Sequence, residues 1–364
     1  MYRGPLFGMY SWCPGKKKRT EMIYSNVELH NVEEVRTVKG QDGVRLQRVP
    51  EDVRLALNDS AQFRMLQPDS AEIRFVADRP VCRITLSSEA RSRVTVFNGL
   101  FDSRQRFIIG PEPKTIELVE NPERLQKLDK KYWSEMSFSA RVFRLILGGP
   151  DPEREPVFFH GIEGQGIRPP KADEMPSLRY LAYGTSITHG FCAEGPHLCY
   201  ASQAARHLGA DLINLGVGGS AYCEHELADY IAGRHDWHIA TLALSVNMHG
   251  FSLDVFRERV SYMVDKVAGS QPKRSVACIT LYPYYRDFGI DDKDDVYGGS
   301  PEEYRQILRD VVQACPHDNA HLLEGPDILT DISGLTADLV HPADNGMIEM
   351  GWRLAEQLKP LLPG

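Results

Sequence analysis

The sequence lacks several features that mark secreted, membrane-bound and metal-binding proteins. No apolar run approaches the roughly 20 residues that span a bilayer, and the N-terminal residues lack the apolar stretch of a secretory signal peptide. The seven cysteines are scattered and include no CxxC pair, which argues against a disulfide framework or a zinc site. We therefore expect a cytoplasmic protein with reduced thiols, no metal and no membrane partner.

The chain also has fewer basic than acidic residues. The chain has 42 Lys and Arg residues against 50 Asp and Glu residues, a net charge of −8. Because nucleic acids and anionic membranes bind basic surfaces, neither is expected as a partner. Apolar residues make up 42% and charged residues 25% of the chain, as in ordinary globular proteins. With 364 residues the chain is long enough for two domains.

The first part of the chain has the pattern of a β domain. Short runs of β-branched and aromatic residues recur between turn-forming residues, as in RVTVF (93–97) and ARVFRLIL (140–147). Alternation within these runs predicts strands with one buried face. Their spacing of about ten residues predicts an all-β sandwich of jelly-roll type. Short helices are expected only at 51–57 and 121–128.

From residue 177 the pattern changes to strand, loop and helix in repetition. RYLAYG (179–184), DLINLG (211–216) and IATLALSV (239–246) are apolar nearly throughout, which is typical of strands covered on both faces. Such repeats predict a parallel sheet between two layers of helices, with ligands bound at the carboxyl ends of the strands. The predicted division is a β-sandwich domain at 1–165, a linker at 166–176 and an α/β domain at 177–364.

Four strand ends in the α/β domain carry residues suited to acyl transfer. Ser186 lies on a tight turn after 179–184, and Gly219 follows 211–216. Asn247 follows the third strand, and Asp338 stands three residues before His341 ahead of the last helix. An exposed serine can attack a carbonyl, N–H groups can stabilise an oxyanion, and an Asp can orient a His. Each pattern taken alone is more often a structural turn.

In this order the four blocks resemble those of the SGNH (GDSL-like) hydrolase family, over about residues 177–362. The resemblance implies a three-layer, flavodoxin-like fold for the second domain. It also implies that Ser186 is the nucleophile, His341 the general base and Asp338 the residue that orients it. The N–H groups of Ser186 and Gly219 and the side chain of Asn247 would form the oxyanion hole.

The chain departs from the family pattern at one position. The family usually has Asp before the serine, and here Thr185 stands there, which leaves open how the serine turn is held. An α/β-hydrolase is disfavoured because its G-x-S-x-G elbow would need a glycine in place of Thr188. His189, His249 and Tyr282 are candidate pocket residues. Ordinary loop histidines are the more common case for the first two, and core packing explains Tyr282 as well as a pocket role does.

The domain order implies a substrate class. A β-sandwich ahead of an SGNH domain resembles two-domain carbohydrate esterases that remove acetyl groups from xylan or similar glycans. We therefore expect a serine esterase for short acyl groups on a sugar, with a small-molecule ester as partner and no cofactor. The alternatives are a general short-chain esterase, lysophospholipase or thioesterase, and a non-catalytic glycan-binding protein. A homo-oligomer is compatible with the sequence.

Overall fold

The computed structural model describes residues 21–78, 81–119, 125, 127–134, 136–244, 246–291 and 296–363. The helix predicted at 121–128 lies mostly outside these residues. In the described part of the chain, no helix has both the length and the apolar character required to cross a bilayer.

The N-terminal half is a sandwich of two antiparallel sheets, as predicted. The strands are β1 (Met22–Tyr24), β2 (Val27–His30), β3 (Glu34–Arg36), β4 (Val44–Gln47), β5 (Glu72–Phe75), β6 (Val81–Ser88), β7 (Ser92–Asn98), β8 (Phe101–Ile109), β9 (Lys114–Val119), β10 (Phe143–Leu147) and β11 (Val157–Glu163). They pair in the orders β1-β2-β5-β10-β7-β8 and β3-β4-β11-β6-β9. Apolar side chains from the inner faces meet between the sheets, among them Ile73 and Leu145 from one and Ile84 and Leu86 from the other.

Three short helices accompany these strands: α1 (Glu51–Ala56), α2 (Asp59–Arg64) and α3 (Lys130–Ser134). The first confirms the helix expected at 51–57. Asn58 caps α2 by accepting the N–H of Ala61 at 3.0 Å, which satisfies a donor that the first turn leaves free. Leu57 and Met65 at the ends of this helix pair are buried in the core of the C-terminal half.

The C-terminal half is a five-stranded parallel sheet between helices, which confirms the predicted fold class. Its strands are β12 (Arg179–Gly184), β13 (Asp211–Gly216), β14 (Ile239–Ala243), β15 (Ser275–Ile279) and β16 (Ala320–Leu323). They pair in the order β13-β12-β14-β15-β16, which is the flavodoxin-like order. Side chains alternate between the two faces, so Leu181 and Tyr183 enter one core and Tyr180 and Ala182 the other.

Helices cover both faces of this sheet. They are α4 (Ser186–His189), α5 (Tyr200–Leu208), α6 (His225–Gly233), α7 (Leu253–Ser270), α8 (Pro301–Ala314), α9 (Gly325–Ile328) and α10 (Asp344–Leu358). Buried residues of α6, α7 and α8 share one core, and those of α5 and α10 share the other. Ser300 and Glu303 form the capping box of α8 with Pro301 at its first position.

The N-terminal half covers the open edge of the parallel sheet. Strand β13 lies at this edge, so every second carbonyl group points away from the sheet and needs another donor. Side chains of the N-terminal half approach three of these carbonyls within hydrogen-bond distance. The contacts are His30 Nε2 with Leu212 O, Asn31 Nδ2 with Asn214 O (3.1 Å), and Arg48 Nη1 with Asn214 O (3.2 Å) and Gly216 O (3.1 Å).

A buried ion pair joins the two halves at the start of β13. Arg74 on β5 donates two hydrogen bonds to the carboxylate of Asp211, at 2.9 and 2.7 Å. Both side chains are 1% exposed. Glu72 and Glu28 also lie within 3.4 Å of the Arg74 guanidinium. The two halves are therefore joined by an ion pair that is shielded from solvent.

The predicted linker is partly bound to the β-sandwich. Arg168 exchanges backbone hydrogen bonds with Val76 at 2.9 and 3.0 Å, and its guanidinium pairs with Glu174 at 2.7 Å. The antiparallel strands end at Glu163 and the parallel sheet begins at Arg179. The proposed linker between the two halves is 166–176.

Candidate active site

The turn between β12 and α4 places Ser186 at the carboxyl edge of the sheet. Ser186 is the first residue of α4, and Thr185 is the capping residue before it. Because the first residues of a helix have no intrahelical acceptor for their N–H groups, the N–H of Ser186 is available to a ligand. Gly190 ends the helix after one turn in a left-handed conformation, with φ of 92°.

Ser186, His341 and Asp338 form a continuous chain of hydrogen bonds. The Oγ atom of Ser186 lies 2.8 Å from Nε2 of His341. The Nδ1 atom of the same ring lies 2.7 Å from Oδ2 of Asp338. This is the order of contacts that a nucleophile, a general base and an orienting acid require. The three residues come together although 155 positions separate the serine from the histidine.

Asp338 is held as an anion. Burial raises its pKa, but hydrogen bonds from the backbone and side chain of His341 and from the N–H of Val340 lower it, to about 2. The Oδ1 atom also accepts the hydroxyl of Thr336 at 2.8 Å. Asp338 is therefore ionised near neutral pH and can stabilise a protonated imidazole.

The oxyanion donors predicted from the sequence converge on the same edge. Gly219 has a φ of 69°, a conformation that favours glycine. Its N–H has no acceptor among the described residues. The Oδ1 atom of Asn247 accepts the N–H of Ala221 at 3.2 Å. Because the carbonyl end of this amide is engaged, its NH2 end is left to donate.

Replacing Asn247 with alanine tests this assignment. We expect kcat to fall by roughly 10²- to 10³-fold, since one oxyanion donor is lost. Asn247→Asp, which keeps the shape but replaces the donor with an acceptor, should be at least as impaired. Steady-state kinetics on 4-nitrophenyl acetate measures both. An unchanged kcat in both variants would show that Asn247 is not an oxyanion donor.

A cleft of about 410 Å³ opens beside Ser186 and His341. Four aromatic side chains contribute to its wall: Phe191, Tyr222, Tyr284 and Tyr285. The ring of Phe191 lies 4.8 Å from that of His341. Of the described residues that line this cleft, none is acidic. The cleft therefore offers aromatic faces and hydrogen-bond donors to a ligand.

The three candidate pocket residues have different positions. His189 and His249 line the cleft. Tyr282 is not among the described residues that line it, and is only 7% exposed. Its ring packs edge-on against Tyr200, 5.9 Å away, in the core on one face of the sheet. The structure therefore corrects the placement of Tyr282, whose ring lies in the core, while Tyr284 lines the cleft although it is only 2% exposed.

His189 is buried and neutral. It is 1% exposed, and burial lowers its pKa to about 4, although the neighbouring Asp69 works in the opposite direction. Its Nε2 atom lies 3.1 Å from Oδ2 of Asp69 and 3.3 Å from Nη2 of Arg48. Both of these partners belong to the N-terminal half, which therefore supports the floor of the cleft.

The serine turn is held by more than Thr185. The hydroxyl of Thr185 accepts the N–H of Ile187 at 3.4 Å, a long and weak contact. Asn214 on β13 supplies a stronger one, since its Nδ2 donates to the carbonyl of Thr188 at 2.8 Å. A Cβ atom at Gly216 would lie 2.3 Å from the backbone nitrogen of His189, so only glycine allows β13 to approach the turn this closely. These contacts explain how the turn is held without the usual Asp.

Sequence reasoning missed four residues that build the site. Asn214 left a signal, because a polar residue inside an apolar strand needs a partner. Arg48, Arg64 and Asp69 left none, because they lie in the predicted β domain, far along the chain from the cleft.

Two groups of side chains bring potential metal ligands within 4.8 Å in the described residues. The first is Cys192, Asp338 and His341, but His341 uses Nδ1 to contact Asp338, and burial raises the pKa of the Cys192 thiol. The second is Glu28, His30 and Asp211, where the guanidinium of Arg74 already supplies the positive charge. Neither donor set suits a resident metal ion.

Comparison with known proteins gives one family and several structures. The model of the GDSL-like lipase/acylhydrolase family matches residues 179–362. No curated protein matches the chain.

Similar structures share the fold at low identity. A salicylyl-acyltransferase from a tetracycline biosynthetic pathway has a TM-score of 0.65 at 15% identity, covering 95% of this chain and 100% of its own. A GDSL-like lipase from Bacteroides ovatus has a TM-score of 0.64 at 17% identity, and the match covers 86% of this chain and 91% of the lipase. A family two carbohydrate esterase from Clostridium thermocellum, solved with cellohexaose, has a TM-score of 0.57 at 15% identity. The match covers 80% of this chain and 91% of the esterase.

Proposed function

The chain belongs to the GDSL-like lipase/acylhydrolase family, and from this premise we propose that it is a serine esterase. Its proposed substrates are short acyl esters, above all acetyl esters, on a carbohydrate such as an acetylated xylo-oligosaccharide. The observation that carries the proposal is the hydrogen-bonded chain from Ser186 through His341 to Asp338 at the mouth of the cleft.

In the proposed mechanism, Nε2 of His341 takes the proton of Ser186 while Oγ attacks the ester carbonyl. The oxyanion forms among the N–H groups of Ser186 and Gly219 and the amide of Asn247. Collapse of this intermediate breaks the ester bond, and the protonated His341 gives its proton to the departing alcohol. Water then attacks the acyl-enzyme with His341 as base, which releases the acid and restores Ser186.

The choice of a sugar rests on the walls of the cleft. Tyr222 and Tyr285 are partly exposed and present aromatic rings with hydroxyl groups, which suit the apolar face and the polar rim of a sugar ring. The same fold occurs in a carbohydrate esterase solved with cellohexaose, but at 15% identity this likeness concerns the fold alone.

Acyl-chain selectivity tests the substrate class. We expect kcat/KM to fall steeply from 4-nitrophenyl acetate through the butyrate to the octanoate, and acetylated xylo-oligosaccharides to release acetate. Rates that rise with chain length would contradict the proposal and favour a lipid or thioester substrate. If no ester is hydrolysed in a serine-dependent way, a non-catalytic glycan-binding protein becomes the better account.

A further inference from the structure

One wall of the cleft comes from the N-terminal half. Arg64, the last residue of α2, lines the cleft together with Ser186 and His341. Its position is fixed from the backbone, because its carbonyl accepts Nη2 of Arg48 at 2.7 Å. A Cβ atom built on Gly218 would lie 3.7 Å from Nε of Arg64. The guanidinium therefore stands directly beside the loop that carries Gly219.

One edge of this guanidinium is unused. Nη1 of Arg64 donates to Oε1 of Gln67 at 3.2 Å, which directs the group. Nε is buried, and neither Nε nor Nη2 has a hydrogen-bond partner among the described residues. Nε and Nη2 form the edge that binds a carboxylate through two parallel hydrogen bonds. A buried N–H without an acceptor is costly, so a ligand that supplies one would be bound favourably there.

The described residues do not neutralise Arg64. In the described part of the chain no carboxylate lies within 4 Å of its guanidinium, and no acidic side chain lines the cleft. Glu155 is close enough for Arg64 to affect its pKa, but it is not among the described cleft residues. The positive charge of Arg64 is thus directed into the cleft of a protein whose net charge is −8.

Two more arginines strengthen the positive potential below the cleft. Arg48 and Arg154 are each 1% exposed. Nη1 of Arg154 lies 3.7 Å from Oδ1 of Asp69, and its Cζ lies 5.2 Å from the centre of the Phe191 ring. The carboxylate facing them is that of Asp69, while His189 is neutral. Buried charges are weakly screened, so their field extends into the cleft.

From these observations we propose that the substrate is an ester whose acid or alcohol part carries a carboxylate, held by the free edge of Arg64. This inference rests on the proposed esterase function and narrows its substrate class to esters that also carry a carboxylate. A charge-assisted pair of hydrogen bonds in such a site should favour the charged ester by about 10- to 100-fold.

Matched pairs of esters test the inference. One pair, 4-acetoxybenzoate and 4-acetoxybenzamide, differs in charge on the alcohol part. The other, monomethyl succinate and methyl succinamate, differs in charge on the acid part. The quantity measured is the ratio of kcat/KM for the charged ester to that for its neutral amide, because a general loss of activity cancels in this ratio.

We expect Arg64→Gln to lower this ratio by about 10- to 100-fold for at least one pair. The pair that responds identifies the part of the substrate that carries the charge. Arg64→Lys should keep part of the ratio, since it retains the charge and loses the two-pronged contact. In the wild type the ratio should fall as salt is added. Arg83→Gln is the control, because Arg83 is 57% exposed and pairs with Glu117 on the β-sandwich surface.

The possible failures are distinct. If both neutral esters are hydrolysed in a Ser186-dependent way and Arg64→Gln leaves both ratios unchanged, the acidic-substrate inference is wrong and the esterase function stands. If no ester of either pair, and no 4-nitrophenyl ester, is hydrolysed, the esterase function fails and the inference falls with it.

Discussion

Alanine at position 186 is expected to reduce kcat for ester hydrolysis by roughly 10⁴- to 10⁶-fold, the range seen when the nucleophile of a serine hydrolase is removed. The reason is geometric. The Oγ atom of Ser186 is the group that Nε2 of His341 contacts at 2.8 Å, and without it no acyl-enzyme can form. Stability should change little, because the hydroxyl points to the cleft. Steady-state kinetics and thermal unfolding of Ser186→Ala measure the two effects.

Ser202→Ala is the matched control. Ser202 lies in α5, where its hydroxyl donates to the carbonyl of Pro196 at 2.7 Å, outside the cleft. This variant loses the same atom and should keep its activity within about twofold. Mass spectrometry after rapid mixing with 4-nitrophenyl acetate adds a direct readout, since the acetylated enzyme should form in the control and not in Ser186→Ala. Equal activity in both variants would remove Ser186 from the mechanism.

Loss of the buried Arg74 should have the largest effect on stability. Arg74→Met leaves Asp211 in the interior without the cation that accounts for its two hydrogen bonds at 2.9 and 2.7 Å. Removing one member of a buried ion pair typically costs about 3–5 kcal/mol of folding free energy. Because the pair joins β5 to β13, both halves should lose stability together. Urea unfolding followed by tryptophan fluorescence and circular dichroism measures this loss.

The pH dependence provides a second check. Burial raises the pKa of Asp211, but Arg74 and then His30 lower it to well below its ordinary value. A carboxyl group with a lowered pKa stabilises the fold above its unfolded pKa of about 3.9, and this contribution is lost as the pH falls below that value. In Arg74→Met, Asp211 is still buried but has lost its cation, so its pKa rises. Protonation of Asp211 then removes the buried charge and with it much of the loss of folding free energy. The stability difference should therefore be largest near neutral pH and shrink towards about pH 4.

An exposed ion pair is the control for this experiment. Arg83 and Glu117 lie 3.0 Å apart with side chains 57% and 53% exposed. Arg83→Met should cost no more than about 1 kcal/mol, since water solvates the carboxylate that is left. If the two variants are destabilised equally, the buried pair does not hold the halves together.

The fold class and the candidate site residues at the strand ends could be predicted from the sequence. Strands buried on both faces are apolar throughout, and those of the sandwich alternate, so the two sheet types differ in their residue pattern. Residues at strand ends follow from the strands, which is why Ser186, Gly219 and Asn247 could be placed before any coordinates. Tyr282 shows the limit of this reasoning, because a shift of two residues decides whether a side chain faces the core or the cleft.

The local sequence thus determined the elements and the residues at their ends, because strand periodicity, helix caps and turns depend on neighbours in the chain. Only the tertiary structure decided which residues of the β-sandwich half meet the cleft. Arg48 reaches His189 across 141 positions, and Arg64 reaches the Gly219 loop over a comparable separation. No local pattern encodes such a contact, since it arises from how two independently patterned halves pack. The meeting of Ser186, His341 and Asp338 could therefore be predicted from the sequence, whereas the positive charge beside them could not.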